Sequence, residues 1–280
     1  LNKLAFLIAL ASHSTMAFDL QGHRGTRGHL PENTLPGFAR AVEMGVDTLE
    51  MDVGVTRDGV VVIHHDRRLN PDVARKDGKW VQAPAALIHE LNFSELQRYD
   101  VGRIRPNSEY AARFPRQKPI DGTPIPRLAD LFASMKGHTV RFNIETKLAP
   151  DAPGETLPPE PFARALIAEV RKAGMQKRTT IQSFDFRTLK VVEKEAPEIA
   201  TSYLTDGQSS DPARVREAGA RLWSPNFRDL DAAKVARARS LGLRIVAWTV
   251  NEPDEIRRVL GLKLDGLISD YPDRVRPLLK

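Results

Sequence analysis

Short apolar, β-branched runs recur through the second half of the chain, separated by polar stretches with helical spacing. They begin near Thr179 (TTIQSF), Thr201 (TSYLT), Leu222 (LWSPN), Ile245 (IVAWTVN) and Gly266 (GLISD), roughly 20 residues apart. The gaps carry helix-end signals. Asp211 precedes Pro212, an N-cap followed by proline at the first helical position. Asp185 and Asp231 can cap in the same way, Glu252-Pro253 opens the last helix, and Gly261 closes it. Strand and helix alternating at this interval predict βα units and a parallel sheet. The first half adds strands at 18–22, 48–53 and 139–145. A helix after Asn33/Thr34, with Pro36 in its first turn and Gly45 at its end, separates the first two, and a helix over 127–135 precedes the third.

One further run, VVVIHH (60–65), is joined to the second strand by only TRDG (56–59). That link is too short for a parallel crossover, and Asp58-Gly59 is a hairpin signal, so this run folds back antiparallel. Setting it aside leaves eight strands: 18–22, 48–53, 139–145, 179–184, 201–205, 222–226, 245–250 and 266–269. Eight parallel strands with intervening helices predict a closed α/β fold, the (β/α)₈ TIM barrel, with an insertion after strand 2. An open doubly wound sheet is the alternative, but no Gly-rich dinucleotide fingerprint supports it. The insertion, 66–126, holds seven of the 20 prolines and one short helical pattern, FSELQRY. Long segments at that end of a barrel usually shape or cover a site.

The N-terminus reads as a secretory leader. Lys3 is a positive flank, LAFLIALA (4–11) is an apolar core too short to span a bilayer, and Thr15 and Ala17 supply small residues before a cut at Phe18. Residues 1–17 are therefore expected to be removed, leaving 18–280 as an exported protein, periplasmic or secreted. The chain has no cysteine, which rules out disulfides and thiolate catalysis. Its net charge of +6 permits attraction of anionic substrates. Without dense basic runs, zinc-finger spacing or basic–aromatic interleaving, nucleic acid is not an expected partner. No stable membrane anchor is expected either, and oligomeric state is not legible.

The barrel topology gathers chemistry at one rim. His23 and Arg24 follow strand 1 between glycines, which suggests an exposed ring beside flexible backbone. Glu50 and Asp52 share a face of strand 2; Glu145 ends strand 3 with Lys147 after it; Gln182 and Ser183 end strand 4; Trp248 and Asn251 end strand 7. One of His64 and His65 faces the rim from the hairpin. Three converging carboxylates repel one another unless a cation joins them or some are protonated, and hard oxygen ligands suit Mg²⁺ or Ca²⁺; salt bridges to Arg24 or Arg141 are the competing explanation. Two histidines could divide proton removal and delivery, although single histidines are often structural. Arg24 could fork onto phosphate oxygens and Lys147 act as a point charge, or both could merely balance the acids. Trp248 could stack on a substrate or fill the barrel top. His29, His89 and His138 have no evident partner and read as surface or loop residues.

Taken together, GHRG…PENT, EMDV, DGVVVIHHDRRL, NIETK, QSF and AWTVN…DGLISDYP resemble the glycerophosphodiester phosphodiesterase family in order and spacing, from about Gln21 to Asp273. The resemblance implies a TIM barrel, one divalent cation (Ca²⁺ or Mg²⁺) and a catalytic pair, His23 and His65. His65 is chosen over His64 because the family has His-Asp with leucine three residues on, here Asp66 and Leu69. It implies Glu50, Asp52 and Glu145 as metal ligands, and Arg24 and Lys147, with Trp248, at the substrate. NIETK departs from the family at Thr146, where an aliphatic residue is usual; both charged positions are kept. The implied reaction is hydrolysis of a glycerophosphodiester to glycerol 3-phosphate and an alcohol such as choline or ethanolamine. Attack comes from water or from the neighbouring glycerol hydroxyl. Three rivals stand beside it: phospholipase D-like cleavage of lysophospholipids or sphingomyelin on the same scaffold, an exported protein that binds phosphodiesters without turnover, and a zinc-type barrel hydrolase. Charged runs in the insertion weigh against the first, the joint presence of histidines and acids against the second, and the lack of His-x-His on strand 1 against the third.

Overall fold

The computed structural model describes residues 18–279; the leader expected over 1–17 lies outside the described residues. In chain order the elements are β1 (Asp19–Gly22), α1 (Leu35–Glu43), β2 (Thr48–Val55) and a hairpin strand β3 (Val61–Ile63). The insertion contains β4 (Arg75–Lys76), β5 (Lys79–Trp80), α2 (Phe93–Leu96), β6 (Tyr99–Asp100) and α3 (Glu109–Arg113). There follow α4 (Leu128–Ser134), β7 (Arg141–Thr146), α5 (Pro159–Ala173), β8 (Thr179–Ser183), α6 (Phe186–Glu195), β9 (Ala200–Thr205), α7 (Pro212–Glu217), β10 (Leu222–Pro225), α8 (Ala232–Ser240), β11 (Arg244–Ala247), α9 (Pro253–Gly261), β12 (Gly266–Ser269) and α10 (Pro272–Val275).

Eight of these strands pair in parallel, in the order β1-β2-β7-β8-β9-β10-β11-β12, and β12 returns to β1, so the barrel is closed. The strand fed by TRDG does turn back: β3 runs antiparallel to β2, with Val55 opposite Val61. Helix starts follow the capping residues. Thr34, Asp185, Asp211 and Asp231 each accept a hydrogen bond from a backbone N–H in the first turn that follows, and proline stands in the first turn of α1, α7 and α9. Strand 7 is shorter than expected. Its ladder ends at Ala247, and Trp248 keeps only an isolated bridge to Asn226.

Alternation along β2 divides its labour. Leu49, Met51 and Val53 face the helices and join the main core with Phe38, Phe132 and Phe162, while Glu50 and Asp52 face the barrel axis. The interior wall beneath them is polar. Asn143 donates to Gln21 and Gln182 at 2.8 and 2.9 Å, and Asp19 collects Thr48, Gln21 and Arg141. Arg141 therefore points to the far end of the barrel, toward Asp19 at 2.9 Å, and does not balance the acids of the rim.

The insertion holds more order than one helix. β5-β4-β6 form a small antiparallel sheet over a separate core of Val62, Leu69, Ile88, Leu96 and Ile125, and α3 is a second short helix. Two-residue strands show no period-2 signal, so this sheet was not legible from hydrophobic spacing. Its tight turn is Asp77-Gly78, both at positive φ (51° and 75°).

Candidate active site

Most of the rim residues singled out above meet at the carboxyl ends of the strands; Ser183 turns away, its hydroxyl donating to the Thr146 carbonyl at 3.2 Å, and Asn251 borders a neighbouring space. His23, Arg24, Glu50, His65, Glu145, Lys147 and Trp248 line one cavity of about 220 Å³. The acids come from the tightest part of the barrel. Asp52 stands opposite Glu145 in the β2–β7 register, and Glu50 lies two residues back on the same face. One oxygen from each of Glu50, Asp52 and Glu145 lies within 4.8 Å of the others, and all three residues are buried.

The surroundings of this cluster are specific. Glu50 accepts from the backbone N–H of Arg24 (2.9 Å) and from Gln182 Nε2 (2.8 Å). Asp52 accepts from Asn33 Nδ2 at 3.0 Å. Lys147 Nζ lies 2.7 Å from Glu145 and 3.6 Å from Asp52. Burial, with the charge of Asp52 beside it, pushes the Glu50 carboxyl well above the usual range. Burial also raises Glu145 to about 7, against the pull of Lys147. Asp52 goes the other way: despite its burial, His65, Arg24 and Lys147 hold it well below the ordinary value. Three buried hard-oxygen donors, two of them pressed toward protonation by crowding, fit a divalent cation of the Mg²⁺ or Ca²⁺ kind.

The glycines around His23 do not loosen it. A Cβ on Gly22 would lie 2.4 Å from the Gly25 carbonyl oxygen, and one on Gly25, itself at φ +83°, 2.8 Å from the backbone of Gly37. They let β1 and α1 approach closely, and they leave the His23 side chain only 12% exposed, which corrects the expected exposed ring. His23 Nδ1 is 2.7 Å from Asp270 Oδ1. Asp270 lies almost wholly inside, and against the cost of its burial Arg27 and His23 keep it ionised far below the usual carboxylate range. An ionised carboxylate only accepts, so Nδ1 carries the proton and Nε2, 3.9 Å from Glu50, faces the cavity. His65 repeats the device: Nδ1 is 2.7 Å from Asp66 Oδ1, and Asp66 is steadied by Asn70 at 2.6 Å. Burial lowers both imidazoles, His23 to about 4. His64 is buried, its Nε2 3.2 Å from the Arg68 carbonyl, away from the rim cavity.

Arg24 is anchored, not mobile. It is buried at φ +49°, donates from Nη1 to Glu32 (2.9 Å), and holds Nε 3.3 Å from Asp52 with no hydrogen-bond partner. Glu32 in turn accepts from Tyr110 of the insertion. Trp248 donates to the Ser224 carbonyl at 2.7 Å and meets Phe184 edge-on, so its ring is fixed at the cavity wall. Of the histidines without an evident partner in the sequence, two have one: His29 Nε2 lies 2.7 Å from Asp273 and His89 Nε2 3.1 Å from the Gly154 carbonyl oxygen. The sequence reading missed Asp270, Asp66, Glu32, Asn33 and Tyr110. Asp270 carried a usable signal, an acid one residue past the last barrel strand; Tyr110 carried none.

A closed (β/α)₈ barrel with an acidic cluster, two carboxylate-held histidines and four cationic side chains around one cavity is the class these observations define. The sequence profile of the glycerophosphoryl diester phosphodiesterase family matches residues 23–274, and the chain belongs to that family. It is 26% identical over 259 residues to the glycerophosphodiester phosphodiesterase of Caldanaerobacter subterraneus subsp. tengcongensis, covering 92% of this chain and 96% of that one. A crystal structure from Silicibacter pomeroyi DSS-3, provisionally assigned as a glycerophosphoryl diester phosphodiesterase, superposes with a TM-score of 0.88 at 35% identity, covering 94% of this chain and 93% of that one. An Oleispira antarctica phosphodiesterase, solved with the product sn-glycerol-3-phosphate, shares the fold at TM-score 0.74 and 23% identity, over 92% of this chain and 95% of that one.

Proposed function

We propose that this protein hydrolyses glycerophosphodiesters to glycerol 3-phosphate and a free alcohol, with His23 and His65 moving the protons and Glu50, Asp52 and Glu145 holding one divalent cation, Ca²⁺ or Mg²⁺. What carries the reading is the meeting, in one cavity, of two imidazoles each oriented by a carboxylate and three acids poised for a cation. The names of its relatives point to the same substrate class.

The bound cation would neutralise charge on the non-bridging phosphate oxygens. Arg24 and Lys147, both bordering the cavity, would bind the same oxygens. One imidazole takes the proton from the attacking hydroxyl of water or of the adjacent glycerol carbon; the new P–O bond forms as the P–O bond to the alcohol breaks, and where the glycerol hydroxyl attacks, the resulting cyclic phosphate is opened by water to give glycerol 3-phosphate. The other imidazole delivers a proton to the departing alkoxide. Asp270 and Asp66 keep each Nε2 turned to the phosphorus. Trp248 walls the substrate side. Among the described residues only Phe184, at the cavity, and Leu278 are large hydrophobics left exposed, little apolar surface for a lipid chain, which favours a water-soluble diester.

The test is to strip the protein of metal, add back Ca²⁺ or Mg²⁺ separately with glycerophosphocholine, and measure glycerol 3-phosphate. Turnover should return with one ion or both and vanish in His23→Ala and His65→Ala. Wild-type turnover in either variant refutes the assignment. Export completes the proposal: N-terminal sequencing of protein recovered outside the cytoplasm should begin at Phe18.

A further inference from the structure

The catalytic cavity does not end at His23. Arg27, Arg113, Trp248 and Thr249 form a shared wall, and beyond it opens a second space of about 280 Å³, floored by Asp270 and bordered by Asn226, Arg228 and Asn251. Three of its walls are guanidinium groups and its only acid is Asp270. That acid is already spent. It binds Arg27 through both oxygens (2.8 and 3.1 Å), His23 at 2.7 Å and Asn251 at 2.7 Å. Arg113, at the end of α3 in the insertion, has no carboxylate within 4 Å among the described residues. Arg228 has only a loose pair with Glu255 at 3.6 Å, and its side chain is 70% exposed.

The aromatic rings here are occupied too. The Arg27 guanidinium lies 4.5 Å over Phe114, and Arg228 lies 4.6 Å over Phe227. A quaternary ammonium would find Trp248 flanked by arginines, with no free carboxylate. An anionic group would find one unpaired fork, Arg113, and one held only loosely, Arg228.

Resting on the hydrolase reading above, we infer that this outer space receives the alcohol part of the diester and selects alcohols that carry a second anionic group, a phosphate or a carboxylate. The scissile phosphate sits at the acids and histidines; the departing alcohol extends past His23 toward Arg113 and Arg228. When the P–O bond to that alcohol breaks, its oxygen takes a proton from an imidazole and leaves with its anionic substituent still held by the arginines.

Three substrates test this: bis(glycerophospho)glycerol, whose departing alcohol carries a second phosphate; glycerophosphoglycerol, its neutral counterpart; and glycerophosphocholine. The holoenzyme should favour the first over the last by about tenfold or more in kcat/KM, beyond the twofold statistical advantage of its two ends. Added salt should shrink the ratio. Arg113→Gln with Arg228→Gln should reduce it toward the statistical value, and Arg228→Glu should favour choline. Both side chains are exposed, so folding should survive, as thermal melting would verify. Equal turnover of all three substrates, or a ratio untouched by these variants, overturns the inference and leaves the hydrolase reading standing. No turnover of any of them removes both.

Discussion

The replacement Asp270→Asn isolates the orientation of His23. The carboxylate accepts four hydrogen bonds: Oδ1 from His23 Nδ1 (2.7 Å) and Arg27 Nε (2.8 Å), Oδ2 from Arg27 Nη2 (3.1 Å) and Asn251 Nδ2 (2.7 Å). An amide can accept at only one of those sites. If its oxygen faces His23, its NH₂ meets two donors, and Asn251 cannot flip to help because its Oδ1 already accepts the backbone N–H of Asp270 at 2.9 Å. His23 then keeps its tautomer but loses an ionic partner, a loss of about 1.5–3 kcal/mol or roughly 10–100-fold. If the NH₂ faces His23, the ring must carry its proton on Nε2 and cannot act as a base; the comparable exchange in a Ser-His-Asp triad costs about 10⁴-fold. The expected fall in kcat is therefore about 10–10⁴-fold, set by which orientation the amide takes. Stability should drop as well, by about 3–5 kcal/mol, because Arg27 is left buried without its counter-ion. Initial rates of glycerol 3-phosphate release at saturating cation, corrected for the folded fraction from urea denaturation, separate the two effects. Asp66→Asn should cost less, about tenfold, since that carboxylate is 36% exposed and water can replace it. A folded Asp270→Asn protein within threefold of wild-type kcat would refute the role given to this pair.

Other outcomes follow from the same contacts. Tyr110→Phe removes a donor to Glu32 and so loosens Arg24; kcat/KM should fall about tenfold with the melting temperature nearly unchanged, and an unaltered kcat/KM would show that Arg24 needs no such brace. In metal-free protein the Glu145 carboxyl is raised to about 7 from an ordinary 4.5, so its burial costs nothing in acid and progressively destabilises the fold as pH rises between those values. Urea titrations in chelator should show that loss, and Glu145→Gln should reduce it, leaving the part that the raised Glu50 contributes, while abolishing cation-dependent turnover; an undiminished wild-type slope in the variant would contradict the assignment. Asp185→Ala removes the cap on α6 and should cost about 1 kcal/mol in urea denaturation without changing kcat.

Much of this was legible because the barrel is built from repeated local signals. The interval between apolar runs, the capping aspartates and the TRDG link fixed the strand count and the one antiparallel excursion. Face alternation along β2 by itself directs Glu50 and Asp52 to one side. What spacing cannot convey is pairing across long separations. Asp270 reaches His23 over 247 positions, and Tyr110 reaches Glu32 from a helix whose sequence shows no core-facing period. The glycines beside His23 misled for a related reason: in isolation glycine reads as freedom, whereas here it permits close packing of β1 against α1.

The site is held in two different ways. Glu50, Asp52 and Glu145 take their positions from strand register on the β2–β7 seam, so the barrel that folds the chain also assembles the acidic cluster. The imidazoles stand at or beyond the ends of the ladders: the His23 backbone N–H, just after β1, makes the last bond toward β12, to the Ser269 carbonyl at 2.9 Å, and His65 follows the hairpin strand. Register cannot orient a ring there, and each ring relies on one carboxylate at 2.7 Å. Loss of a cluster acid should therefore act on the cation and on the electrostatics of the fold. Loss of Asp270 or Asp66 should act on proton transfer while leaving the cation site intact, so a variant at either position that still binds Ca²⁺ or Mg²⁺ with wild-type affinity, yet turns over slowly, is the behaviour this division requires.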